Sequence, residues 1–223
     1  MSGIILNTSG STDEPKQVKH SWDFINECAQ RSIKEIGLTK KDIVLDVFPG
    51  NTIAHYAITA FPALVSGAEL VTANFNAFTY LELFESVQPT VISLIPRHLD
   101  LLSKSKKWDS IDMSCVRYMV TGSNKIEQSF LDAFRERGVQ LVANWYGMTE
   151  YPPPIMIGYN STSFDLKTLT NIDRVEFQLV NEDSSLAECI INGQLTGDLF
   201  NMDTMEFYSR RVHASGKTWK TSI

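Results

Sequence analysis

Ile43-Val44-Leu45-Asp46-Val47-Phe48-Pro49-Gly50 opens the stretch that decides the fold. Its apolar residues fall on both sides of the pleat and Pro-Gly ends it, so it reads as a strand buried on both faces. Ile53 to Leu64 is apolar enough for a buried helix, and Ser66-Gly67 stops it. Glu69-Leu70-Val71-Thr72 is the next strand. Strand, helix and strand joined by short connections make a crossover unit, which places the two strands parallel. The same alternation continues in both directions. Upstream, Ile4-Ile5-Leu6 is a short strand, and a helix opens at Ser21-Trp22-Asp23-Phe24. In that helix Phe24, Cys28, Ser32 and Ile36 share one face before Gly37. Downstream come a helix from Tyr80 to Val87, a strand from Thr90 to Ile95 and a helix from Leu99 to Lys104. A strand from Val116 to Val120, a helix from Gln128 to Arg137 and a strand from Gln140 to Trp145 complete the series. The pattern predicts an α/β fold, a mostly parallel sheet covered by helices on both faces. Beyond it, Tyr151-Pro152-Pro153-Pro154 can continue neither a helix nor a central strand. Short β-type runs follow at Arg174 to Val180, Glu188 to Ile191 and Glu206 to Tyr208. The expected organisation is an α/β core over residues 1–151 and a small β-rich subdomain over 152–223.

Composition excludes several classes. The 223 residues are 43% hydrophobic and 21% charged, as in an ordinary globular protein and unlike a disordered one. A net charge of -6 argues against a general nucleic-acid binder, which needs clustered positive charge, yet leaves room for a locally basic pocket. Cys28, Cys115 and Cys189 are widely spaced with no CxxC pair, so neither a disulfide frame nor a zinc site is expected. No run approaches the roughly 18 apolar residues of a membrane span. The start, Met1-Ser2-Gly3-Ile4, lacks the basic flank of a signal peptide. A cytoplasmic protein that works apart from membranes is the expectation.

Three segments carry chemistry. The strand at Ile4-Leu6 runs into Thr8-Ser9-Gly10-Ser11-Thr12-Asp13-Glu14-Pro15-Lys16. Five Ser, Thr and Gly residues followed by Pro-Lys place hydroxyls, backbone N–H groups and one ammonium in a single loop. Polyphosphate oxygens require that combination, although a solvated loop has a similar composition. Tyr146-Gly147-Met148-Thr149-Glu150 stands at the end of a predicted strand, where open α/β sheets bind ligands. Its adjacent hydroxyl and carboxylate are hard oxygen donors suited to Mg2+ on a phosphate. Thr196-Gly197-Asp198 offers a carboxylate that can accept two hydrogen bonds from a ribose diol; an ordinary turn reads the same way. Gly216-Lys217-Thr218 is a decoy, because Arg211 occupies the place where a Walker phosphate loop needs its first glycine.

In this order the three segments resemble the adenylate-forming superfamily: acyl-CoA synthetases, peptide-synthetase adenylation domains and beetle luciferase. The family's [Ser/Thr]-Ser-Gly-[Ser/Thr]-Thr-Gly-x-Pro-Lys loop is matched from Thr8 to Lys16 except at Asp13. Its Tyr-Gly-x-Thr-Glu is intact from Tyr146 to Glu150 and its Thr-Gly-Asp from Thr196 to Asp198. Val120-Thr121-Gly122-Ser123-Asn124 stands, in divergent form, where the family has its adenine loop.

The resemblance implies an AMP-forming acid ligase that takes ATP, Mg2+ and a small carboxylic acid and makes an acyl-adenylate, with coenzyme A or a carrier protein as the possible acceptor. It implies that Thr8, Ser9, Gly10, Ser11, Thr12 and Lys16 cradle the β- and γ-phosphates. Gly122, Ser123 and Asn124 would line the adenine, with Tyr146 and Gly147 against it. Thr149 would touch the α-phosphate, Glu150 would hold the metal, Asp198 would bind the ribose, and Arg211, with Arg210 as the alternative, would supply the family's arginine. No clear equivalent of the family's gate over the acyl pocket stands near Pro49-Gly50-Asn51; His55 is an uncertain substitute, since a lone His in an apolar helix is more often a satisfied core residue. Family members also carry a long region before the phosphate loop and a mobile C-terminal domain with a catalytic lysine. The expectation is therefore a reduced form, covered by a homodimer or partner chain, or else a nucleotide-binding module without independent catalysis. Asp13 adds a negative charge beside the triphosphate, which disfavours tight ATP binding.

Overall fold

The computed structural model describes residues 3–7, 17–166, 174–182, 184–213 and 219–222. Strands β1 (Gly3–Asn7) and β2 (Gln17–Ser21) form an antiparallel hairpin with Asn7 opposite Gln17. Helix α1 (Trp22–Ile36) begins at once, capped by Ser21, whose hydroxyl accepts from the Phe24 N–H at 3.2 Å. It ends at Gly37, whose φ of 65° is the left-handed conformation that closes helices.

The main sheet has six strands in the order β4-β3-β5-β6-β7-β8. Here β3 is Ile43–Asp46, β4 Glu69–Thr72, β5 Val91–Ser93, β6 Tyr118–Gly122, β7 Val142–Tyr146 and β8 Met156–Tyr159. The first five are parallel; β8 runs antiparallel on the edge beside β7. Alternation along the strands explains the coverage. Val44, Val91, Tyr118, Val120 and Ala143 pack with Cys28 and Ile36 of α1 and with Ala63 of α2 (Ala60–Ser66). Their neighbours Leu45, Ile92, Met119 and Val142 face the opposite way. They meet Phe84 of α3 (Tyr80–Val87), Leu102 of α4 (Pro96–Leu102) and Phe134 of α5 (Gln128–Arg135). Successive residues point to opposite faces of a sheet, so continuous apolar runs are buried twice.

A second, five-stranded antiparallel sheet has the order β13-β12-β11-β10-β9. Its strands are β9 (Val175–Leu179), β10 (Leu186–Ile191), β11 (Gln194–Asn201), β12 (Glu206–His213) and β13 (Trp219–Ser222). Its inner face, with Cys189, Ile191 and Phe200, packs on Tyr146, Ile155, Met156 and Phe164. The two sheets therefore meet at the carboxyl end of β7.

The expected helix from Ile53 to Leu64 is present, and His55–Thr59 forms a π-helical turn inside it before regular α-helix resumes at Ala60. The Thr59 hydroxyl donates to Asp46 at 2.8 Å, and the His55 ring is held by the same carboxylate, so side-chain bonds to β3 fix the wider turn. Strands β2, β8 and β13 lie outside the sequence expectation, and β11 incorporates the segment read as a turn.

Candidate functional site

A small cleft lies where the two sheets meet. The structure brings Gly122, Ser123, Asn124, Tyr146, Gly147 and Asp198 together around it. Gly122 ends β6. A Cβ there would stand 2.4 Å from the Trp145 carbonyl oxygen, so only glycine lets β6 and β7 close at this point. Ser123 then takes a φ of 76°, which turns the chain across the mouth of the cleft; a non-glycine residue in that region is a strained feature that concentrates at functional sites. Asn144, Trp145, Phe164, Phe207 and Arg210 complete the lining.

Asp198 is the electrostatic centre. It is fully buried on β11, and three donors converge on its carboxylate. Arg210 Nε donates to Oδ1 at 2.6 Å, Arg210 Nη2 to Oδ2 at 3.1 Å, and the Tyr146 hydroxyl to Oδ2 at 2.8 Å. Gly197 makes this possible, because its φ of 80° turns the strand just before the aspartate. The hydrogen bond to Asp198 raises the Arg210 pKa above its ordinary value, against the effect of burial, and Asp198, Tyr146 and Glu150 add to the rise. Glu150 thus lies within the field of the same guanidinium. Burial drives the Tyr146 hydroxyl well above its usual range, and the negative charge of Asp198 adds to that, so at neutral pH it is a donor. Its ring packs edge-on against Phe200 at 5.0 Å and Phe164 at 6.1 Å.

The predicted phosphate-loop residues Thr8, Ser9, Gly10, Ser11, Thr12, Asp13 and Lys16 lie outside the described residues. The hairpin strands that bracket them do not. His20 on β2 places Nε2 at 2.6 Å from the Thr149 carbonyl oxygen. A carbonyl only accepts, so that nitrogen carries the proton and donates. This bond ties the hairpin that flanks the predicted phosphate loop to the Thr149-Glu150 turn. The Gly147 backbone packs so tightly on Pro153 that a Cβ would come within 2.6 Å of its nitrogen, which fixes the same turn from the other side.

Arg210, the alternative arginine, is the one whose guanidinium grips Asp198. The backbone of Arg211, in β12, pairs with Thr221 of β13, and its side chain lies outside the described residues. His20 is the residue that sequence reasoning missed. No sequence signal marked it, because its strand lay outside the expectation and its burial shows only in the fold. Among the described residues no group of three or more His, Cys, Asp or Glu is arranged to hold a metal ion. A magnesium ion carried by a nucleotide needs only one or two protein carboxylates beside phosphate oxygens and water, so the donor set at Glu150 is compatible with it. No helix among the described residues is long and apolar enough to cross a membrane.

Similarity to known proteins bears on the family and the fold. A family model described as AMP-binding enzyme matches residues 4–186. An indoleacetate–CoA ligase of Aromatoleum aromaticum is 30% identical over 151 residues, covering 67% of this chain and 29% of that protein. A 4-coumarate–CoA ligase of Pinus taeda is 30% identical over 152 residues, covering 66% of this chain and 28% of that protein. The chain spans less than a third of the length of these relatives. Among solved structures, the O-succinylbenzoate coenzyme A synthetase of Bacillus subtilis in complex with ATP and magnesium ion superposes with a TM-score of 0.75 at 20% identity. The match covers 96% of this chain and 51% of that one. The fold is shared.

Proposed function

Because the chain belongs to the AMP-binding enzyme family, we propose that the cleft between its two sheets binds an adenine nucleotide and serves the ATP-dependent activation of a carboxylic acid. The observation that carries this reading is the convergence of Gly122, Tyr146 and Asp198, three residues from three separate segments, on one cleft at the carboxyl ends of β6 and β7.

In this reading the adenine lies against Gly122, Ser123 and Asn124. The ribose hydroxyls hydrogen-bond to Asp198, which Arg210 and Tyr146 hold in place. Lys16 and the Thr8–Thr12 hydroxyls neutralise and orient the outer phosphates, and Thr149 touches the α-phosphate. Glu150 is the residue that would hold Mg2+, whose chemistry is to screen phosphate charge. The acid's carboxylate oxygen attacks the α-phosphorus; a P–O bond forms, the bond to the β-phosphate oxygen breaks, and pyrophosphate leaves with its electron pair. No proton moves, so the chain contributes alignment and charge neutralisation. Coenzyme A or a carrier thiol is the candidate acceptor of the acyl group.

The test is ATP–pyrophosphate exchange over a panel of carboxylic acids, beside titrations with AMP and ATP. Exchange abolished by Lys16→Ala supports the reading. Failure of AMP to bind overturns it. A second reading, a nucleotide-binding module without turnover of its own, is favoured by Asp13, whose charge opposes the triphosphate more than the monophosphate. Saturable AMP binding without exchange by any acid would establish that one instead.

A further inference from the structure

A second cavity, of about 150 Å3, adjoins the nucleotide cleft. Asn144 and Phe207 line both spaces, whereas Tyr146, Asp198 and Arg210 line the cleft alone. The chamber therefore opens beyond the end of the cleft that lies away from Asp198. Its other walls include Gln128 at the start of α5, Thr162 after β8 and Glu206 at the start of β12. Asn144 stands at the junction and is 4% exposed. Its amide nitrogen donates to the Thr162 carbonyl at a long 3.4 Å, and its amide oxygen makes no hydrogen bond to any described residue. Buried polar atoms are nearly always partnered in a finished fold, so this oxygen marks the junction as a place where a ligand group or water belongs.

Charge and volume decide what the chamber can take. Lys125 and Glu127 also line it, but their side chains are 52% and 72% exposed and pair with each other at 3.5 Å, so their charges largely cancel in water. Glu206 is the charge that remains. Its Oε1 accepts from the Thr162 hydroxyl and its Oε2 from the Thr204 hydroxyl at 3.2 Å. Among the described residues no ion pair with Lys or Arg joins it. A carboxylate has about four lone-pair directions, so about two stay open for a further donor. The space is ample for one, since a cavity of about 150 Å3 admits a benzene-sized ring. A short arm that ends in an ammonium fits both the room and the sign of the charge.

In the nucleotide reading above, Asp198 holds the ribose and the base extends from it past Gly122. Adenine carries its ribose on N9, so the opposite edge of the purine, which bears the exocyclic N6 amine, leads away from Asp198. The chamber lies at that end. Resting on that reading, we propose that the chamber is a subsite for a substituent on N6, and that its ligand class is an adenine nucleotide with a short cationic arm on that nitrogen. The arm passes Asn144 and Phe207 and its charge meets Glu206, while an anionic arm of similar length is repelled there.

The test is calorimetric titration of the whole chain with AMP, N6-(2-aminoethyl)-AMP and N6-(carboxymethyl)-AMP. The aminoethyl nucleotide should bind at least as tightly as AMP and about tenfold more tightly than the carboxymethyl one. Glu206→Gln keeps an acceptor for the Thr162 hydroxyl and removes the charge. It should leave the AMP affinity in place, which also reports that the variant is folded, and reduce the gap between the two arms to about threefold or less. Gln128→Trp fills the chamber from another wall and should weaken the aminoethyl nucleotide by about tenfold while sparing AMP. A loss of about tenfold or more against AMP with both arms, equal affinity for the two, a gap that persists in Glu206→Gln, or a Gln128→Trp chain that binds the aminoethyl nucleotide as the parent does overturns the assignment. Saturable AMP binding in any of those events leaves the nucleotide reading standing, whereas failure of AMP itself to bind removes both.

Discussion

Replacing Arg210 by methionine tests the electrostatic centre of the cleft. Asp198 is fully buried, and Arg210 supplies two of the three side-chain hydrogen bonds that its carboxylate accepts, at 2.6 and 3.1 Å. Methionine keeps much of the stem's packing and removes the guanidinium, so the carboxylate keeps only the Tyr146 hydroxyl and its backbone surroundings. Stranding one member of a buried pair costs about 3–5 kcal/mol. The Arg210 side chain is 44% exposed, so water reaches its outer end and the cost falls below that range, to about 2–3 kcal/mol. With a urea m-value of about 2–3 kcal/mol per M for a chain of this size, the unfolding midpoint should fall by about 1 M. The double variant Arg210→Met/Asp198→Asn removes the stranded charge and should recover at least half of the loss. Urea titrations followed by tryptophan fluorescence measure both. A midpoint for the single variant within about 0.2 M of the parent, or a double variant no more stable than the single one, would refute the claim that this ion pair holds the site together.

Two further outcomes follow from neighbouring geometry. Burial alone would raise the Asp42 carboxyl, but hydrogen bonds from Arg117, the Thr39 N–H and Thr90 outweigh it and hold the pKa down from 3.8 to about 2. A depressed acid stabilises the fold above its unfolded pKa, so about 2 kcal/mol should be present above pH 4 and vanish as pH falls from 4 through 2. Urea midpoints across that window should fall more steeply for the parent than for Asp42→Asn, and parallel slopes would count against the assignment. Gly147→Ala would put a methyl within 2.6–2.7 Å of the Pro153 backbone, which cannot yield as a flexible side chain does. A cost of about 2 kcal/mol, or roughly 4–8 °C in Tm, is expected together with weakened AMP binding. An unchanged melting curve and AMP affinity would show that the turn has room to spare.

Much of the fold was legible because parallel strands carry apolar side chains on both faces. Val44-Leu45 and Val91-Ile92 need no partner to be read as buried strands. Helix α1 announced itself at both ends, through Ser21 and Gly37. The strands that escaped lack that signature. In β2 the exposure alternates, and the one buried side chain is His20. In β11 the Gly197 backbone and the buried charge of Asp198 imitate a turn, although their chain neighbours are paired with β10 and β12. The π-helical turn at His55–Thr59 has no periodic trace at all, since a carboxylate on another element fixes it.

The candidate site was legible where a motif fits within one turn of chain, as at Tyr146–Glu150. It was not legible where the partners are remote in sequence. His20 reaches Thr149 across 129 positions, and no local pattern encodes that meeting. The choice between Arg210 and Arg211 was equally hidden, because it depends on which face of β12 is turned toward Asp198.

Asp198 also joins the two sheets, since it stands on β11 of one and accepts a hydrogen bond from Tyr146 on β7 of the other. A carboxylate has about four lone-pair directions, and three are already taken. A vicinal diol asks for two. On the proposed reading a diol would compete for the last of these directions, and of the donors already there only the Tyr146 hydroxyl crosses from one sheet to the other. A guest that spared that hydroxyl would leave the joint as it stands, and one that displaced it would have to supply the missing link between the sheets itself.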